Sequence, residues 1–263
     1  MIPVLNIGPF VINTDWLIIL LGLWIGILFC EKYASFSGLE SKHISNIIYY
    51  SLIGGVVGAR LGYIGQYLSI FLNHPLSMLS LKPVMLDLET GLLTACIVGY
   101  IYIQKNNIDY LCVLDALVPG LSIFFISLGF AHLASGNAYG IQTDLPWGIY
   151  LWQEIRHPTQ IYEIISAVII MVILWPRKNI NNNNEQFLDS NIKGYRAFLF
   201  LALYAFSRIF ISTFIHNTEA LIMNIRRSQL FWWIILILCL YQTYRLLSKA
   251  NNSEQSLDQQ YYS

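Results

Sequence analysis

Seven uniformly apolar runs alternate with short polar stretches along the chain: residues 12–30, 46–72, 89–104, 111–131, 160–175, 195–215 and 229–247. A helix needs about 20 mostly apolar residues to cross the hydrocarbon of a bilayer. Barrel strands would be about ten residues long with strict alternation, which these runs lack. Lipid offers the backbone no hydrogen-bond partners, so each run is expected to be a helix. The pattern predicts an all-α polytopic membrane protein, a bundle of about seven transmembrane helices. The first run and the last, QLFWWIILILCLYQTYRLL, carry the strongest signal.

Lysine and arginine in the connecting segments set the orientation. One set of loops holds Lys32, Lys42, Lys105, Arg177, Lys178, Lys193, Arg196, Arg245 and Lys249; the other holds Lys82, Arg156, Arg226 and Arg227. The richer side is assigned to the cytoplasm. This puts the N-terminus outside and the C-terminus in the cytoplasm. No positive residue precedes the first run, so residues 1–30 do not read as a cleaved signal peptide.

Composition agrees. Hydrophobic residues make up 56% and charged residues 11%, against about 25% charged in soluble domains, and mean hydropathy is +0.55. An ordinary soluble enzyme, a coiled coil and a disordered chain are excluded. Fifteen basic and fifteen acidic residues cancel, leaving no field to attract nucleic acid. The four cysteines, Cys30, Cys96, Cys112 and Cys239, have no metal or disulfide spacing and read as small buried apolar residues. The chain reads as one transmembrane domain over residues 1–250. An external loop spans 132–159, an asparagine-rich cytoplasmic linker 179–193 and a flexible tail 251–263.

Two arginines, Arg60 and Arg208, fall inside apolar runs. A cation at mid-membrane costs about 2.5–3.5 kcal/mol on insertion scales, so each is expected to face a cavity or a partner. Two of them favour an anion such as lipid phosphate over simple structural pairing. Gly54, Gly58 and Gly62 repeat every four residues, a ridge for close helix packing. Arg60 points away from that ridge, and Tyr63 and Tyr67 share its face. Asp15, Asp87, Glu89 and Glu163 lie near the external face, Glu163 in the first turn of a helix starting at Pro158 or Thr159. Asp115 reads as a helix-start residue. His132 and His157 bracket the external loop, and either could serve as a base at neutral pH.

Four motifs then appear in order: GGVVGARLGY (54–63), LDALVPG (114–120), GNAYGIQTDLPWG (136–148) and RHPTQIYE (156–163), with weaker LYAFSRIF (203–210) and the SQL-led last helix. In order, spacing and topology the chain resembles the bacterial prolipoprotein diacylglyceryl transferases over about residues 12–247. The resemblance implies seven spans with the N-terminus outside, in the plasma membrane of a bacterium. It implies transfer of the diacylglyceryl group of phosphatidylglycerol to the lipobox cysteine of a prolipoprotein signal peptide, with glycerol phosphate leaving and no metal or nucleotide needed. By residue, it implies that Arg60 and Arg208 hold or polarise the phosphate. It places Tyr63, Gly136, Asn137, Tyr139, Gly140, Arg156, His157, Gln160, Tyr162 and Glu163 at the substrate site.

The departures from the family pattern bear on the base. Glu89 stands where the family's HGGL motif has histidine. Gly129 and His132 stand where its signature has arginine and asparagine, and Asn137 where it has an acid. Asp15 replaces a tyrosine and Ser212 a glutamate. The expected catalytic set is therefore Arg208 with Glu89 or His132 as the base. Two alternatives stay open at this level: a lipid transferase with another donor or acceptor, and an inactive lipid- or peptide-binding membrane protein.

Overall fold

A computed structural model describes residues 4–7, 10–73, 75–79, 85–175, 192–215, 221–222 and 225–261. The linker 179–193 lies almost wholly outside them; of it only residues 192 and 193 are described. Among these residues eight α-helices dominate: α1 (Thr14–Tyr33), α2 (Ser41–Gln66), α3 (Leu68–Asn73), α4 (Leu88–Lys105), α5 (Tyr110–Ser135), α6 (Thr159–Leu174), α7 (Tyr195–Ser212) and α8 (Arg227–Tyr261). Three two-stranded antiparallel hairpins sit at helix ends: β1–β2 (Val4–Ile7, Phe10–Asn13), β3–β4 (Ile149–Leu151, Glu154–Arg156) and β5–β6 (Leu221–Ile222, Ile225–Arg226).

Each apolar run contains a helix. Among the described residues, five stretches are long and apolar enough to cross a membrane: Thr14–Ser37, Ser41–Gln66, Tyr110–Ser135, Tyr195–Ser212 and Arg227–Ala250. Helix α6, at 16 residues, rises about 24 Å at 1.5 Å per residue. Helix α4 carries Glu89 and Lys105 at its two ends. The run at 46–72 is not one helix: α2 stops at Gln66, Tyr67 leaves helical geometry, and α3 follows.

The helices pack chiefly as α1 on α5, α2 on α4, α5 on α6 and α7 on α8. The glycine ridge of α2 faces α4. A Cβ at Gly58 would sit 1.8 Å from Thr94 Oγ1, and one at Gly62 would sit 1.9 Å from Thr90 Oγ1. Small residues let helix backbones approach closely where lipid supplies no hydrophobic drive for association. The outward faces are apolar, with Leu20, Trp24, Ile53 and Ile237 among the most exposed side chains, the pattern a bilayer would cover. Cys30, Cys112 and Cys239 are buried as expected, but Cys96 is exposed on α4, because the small side chains of that helix that meet α2 are Gly91, Thr94 and Ala95.

A candidate active site at the ends of three helices

The site is assembled from α5, α6 and α7. Helix α5 ends at Ser135 with Gly136 in the left-handed conformation (φ 75°), which glycine adopts without strain. His132 lies in its last turn. Pro158 precedes α6, and Glu163 follows within its second turn. Arg208 lies one turn before the end of α7. Glu163 bridges the other two. Its Oε2 is 2.8 Å from His132 Nδ1, and its Oε1 accepts from Arg208 Nη1 at 2.5 Å. The Glu163 side chain is 10% exposed and those of His132 and Arg208 are each 27% exposed. A carboxylate this buried is tolerable only because both oxygens are engaged by donors. An ionised carboxylate accepts and cannot donate, so the proton on that edge of the imidazole resides on Nδ1.

A small void of about 20 Å³ lies against the ion pair, lined by Phe125, Leu128, Glu163, Ser166, Tyr204, Ser207, Arg208 and Ile211. It shares Ser166, Ser207 and Ile211 with a groove of about 390 Å³ between α6 and α7, whose walls are Ile165, Ile169, Ile173, Leu203, Phe206 and Phe210. Sharing Tyr162 and Phe210 with that groove, a recess of about 340 Å³ is framed by Leu145, Trp147, His157, Tyr162, Phe210 and Phe214. There Trp147 Nε1 donates to Tyr162 Oη at 2.9 Å, and His157 Nδ1 lies 3.3 Å from the same oxygen. A charged cluster beside an apolar groove suits an amphiphile with an anionic head.

Residues of the 132–159 loop frame this site. Gln160 Nε2 donates to the Asn137 carbonyl at 2.8 Å, and the side chain of Asn137 is exposed. Among the described residues, Gln160 Oε1 is buried with no hydrogen-bond partner. The Arg156 guanidinium donates to the carbonyls of Leu151 and Gly140, pairs with Glu154, and lies 5.1 Å from the Tyr139 ring centre. Gly140 is glycine because a Cβ there would fall 2.4 Å from the His157 carbonyl. Ile141 joins the loop to the end of α7 through its amide on the Phe214 carbonyl, 2.8 Å. Gly136, Tyr139, Gly140, Arg156 and Gln160 are thus brought together, and their contacts hold the loop in shape.

Neither Arg60 nor Glu89 is hydrogen-bonded or ion-paired to the cluster among the described residues. Arg60 is buried and donates to the carbonyls of Ser77 (2.5 Å), Met78 (3.0 Å) and Met85 (2.9 Å), with Phe71 and Tyr63 against its face. It ties down the connection between α2 and α4. Among the described residues no hydrogen bond or ion pair joins Arg60 to Glu163 or Arg208. Glu89 is exposed in the first turn of α4 and forms no ion pair among the described residues. Asp87, not Glu89, caps that helix, accepting from the Thr90 amide at 3.0 Å and hydroxyl at 2.7 Å. These bonds hold the Asp87 carboxyl below its usual range.

Sequence reasoning missed two further residues. Asp115 caps a helix other than its own, and its place in LDALVPG was the available signal. Arg226 donates to the carbonyls of Ser212 and Ile215, fastening α8 to the end of α7, and had no signal beyond its charge.

A profile of the family described as prolipoprotein diacylglyceryl transferase matches residues 3–245. Proteins named phosphatidylglycerol–prolipoprotein diacylglyceryl transferase are similar over most of their length. The one from Bordetella avium is 27% identical over 206 residues, covering 75% of this chain and 78% of the relative. The one from Clostridioides difficile is 28% identical over 205 residues, covering 77% and 79%. The one from Rickettsia bellii is 24% identical over 219 residues, covering 80% and 81%. With the family profile spanning nearly the whole bundle, the chain belongs to the prolipoprotein diacylglyceryl transferase family.

Proposed function

We propose that this chain transfers the diacylglyceryl group of phosphatidylglycerol to the lipobox cysteine of prolipoprotein signal peptides, the first step of lipoprotein maturation. The observation that carries the reading is the Glu163 bridge between His132 and Arg208 beside the apolar α6–α7 groove. The lipid phosphate meets Arg208, its acyl chains lie along the groove, and the peptide approaches from outside beneath the loop. Arg208 offsets charge building on the departing phosphate. A cysteine thiol, with pKa about 8.5, reacts as the thiolate and needs a base at neutral pH. His132 fills that role better than Glu89, which is exposed and makes no ion pair among the described residues. Arg60 builds the outer wall and does not hold phosphate directly.

The protein is read as multi-pass in the plasma membrane of a bacterium, with seven spans, the N-terminus outside and the C-terminus in the cytoplasm. Among the described residues, five helices long and apolar enough to cross support this, with α4 and the shorter α6 as the other two. The test is expression in a bacterium depleted of its own transferase, following radiolabelled glycerol lipid into a precursor with one lipobox cysteine. Label at that cysteine is the expected result. A stable, inserted protein that leaves the cysteine unlabelled would overturn the reading. It would favour a different donor or acceptor, a second reading prompted by Gly129 and His132, which depart from the family pattern.

A further inference from the structure

The contact between His132 and Glu163 depends on a glycine. A Cβ at Gly129 would come within 2.7 Å of Ile164 Cγ1 and 3.2 Å of the Ile164 amide nitrogen. Helices α5 and α6 therefore meet there at a separation that a larger side chain would widen. His132 follows Gly129 on α5 by three residues, and Glu163 precedes Ile164 on α6, so the same approach brings the two side chains to 2.8 Å. With the proton on Nδ1, the lone pair is on Nε2. That nitrogen has no hydrogen-bond partner among the described residues, and the ring is partly open.

We propose that Glu163 is a positioning residue that fixes the tautomer and orientation of His132 as base, and that Gly129 sets the helix separation this requires. The proposal rests on the transferase reading above. In the step it serves, the peptide thiol gives its proton to His132 Nε2. The sulfur lone pair forms the S–C bond to the glyceryl carbon as that carbon's C–O bond to phosphate breaks. The electron pair leaves on the glycerol phosphate oxygen, and the imidazolium returns its proton to that phosphate. Orientation by a carboxylate on the far ring nitrogen is a recurrent way of holding a histidine base.

The test uses the full chain in detergent with phosphatidylglycerol and two lipobox peptides, one with cysteine and one with selenocysteine, whose selenol ionises without a base. On the cysteine peptide, Glu163→Gln and His132→Gln should each lower kcat by about 10²-fold, with KM for phosphatidylglycerol changed by less than about threefold. The double variant should be no slower than His132→Gln alone, because the two residues act as one unit. Gly129→Ala, which leaves both groups in place and parts the helices, should lower kcat on cysteine by a smaller factor. The selenocysteine peptide should restore all four. Losses that multiply in the double variant, or Gly129→Ala with unchanged KM that selenocysteine does not rescue, would overturn the positioning role. A His132→Gln protein with full kcat on cysteine would sink the base assignment itself. A wild-type chain that modifies neither peptide would sink the transferase reading.

Discussion

Asp115 caps a helix that begins 80 residues further along the chain. Its Oδ2 accepts from the Gly194 amide at 2.6 Å and its Oδ1 from the Ala197 amide at 2.8 Å, at the start of α7. Gly194 is in the left-handed conformation (φ 83°) there. The first amides of a helix have no partner of their own, and a carboxylate from another helix satisfies two of them while meeting the favourable end of the dipole. Nearby, Lys193 Nζ pairs with Asp109 at 2.9 Å, which holds the Asp109 carboxyl below its usual range. Asp115→Ala should cost about 1–3 kcal/mol, with Asp115→Asn milder because one acceptor remains. Thermal unfolding in detergent checks the order; equal loss in both would remove the two-bond explanation. Lys193→Ala, at a more exposed pair, should change stability far less.

Removing Arg208 leaves Glu163 buried with an unmatched charge. Arg208→Ala should abolish transfer and lower stability by about 3–5 kcal/mol, the range for breaking a buried ion pair from one side. Adding Glu163→Gln to Arg208→Ala should recover part of that stability and none of the activity. Recovery is read from the melting temperature of purified protein, and a double variant less stable than Arg208→Ala would contradict the ion pair.

Arg60 ties down the connection between α2 and α4 through three carbonyls. Arg60→Ala should make that connection more open to protease, and Arg60→Lys should not restore protection, because one ammonium cannot reproduce the planar fork. Limited proteolysis of the purified protein reads this directly. An Arg60→Ala protein with native resistance and a greatly raised KM for phosphatidylglycerol would return Arg60 to the phosphate site.

The ridge of α2 offers a paired comparison. Gly58→Ala and Gly62→Ala would drive a methyl group into Thr94 and Thr90 and should each cost about 1–3 kcal/mol, as overpacking does. Gly65 has nothing within 4 Å of its ideal Cβ position. Gly65→Ala should therefore be neutral or stabilising by up to about 1 kcal/mol through helix propensity. A loss at Gly65 as large as at Gly58 would argue against helix contact as the cause.

The sequence by itself determined the class of molecule and the positions of its helices, because unbroken apolar runs have few other ways to satisfy their backbone. It also drew attention to Arg208, His132 and Glu163, since charge within or beside an apolar span is costly unless it is used. The interruption at Tyr67, the exposed Cys96 and the cap that Asp115 makes were not legible, because each depends on which face meets a neighbour from far along the chain. The partners of the two arginines were equally hidden: folding sets three loop carbonyls around Arg60 and a carboxylate beside Arg208. Tertiary structure alone decided which candidate base joins the cluster. Glu89 and His132 are equivalent as titratable side chains in a sequence, but only the α5–α6 contact at Gly129 brings one of them within hydrogen-bonding distance of Glu163.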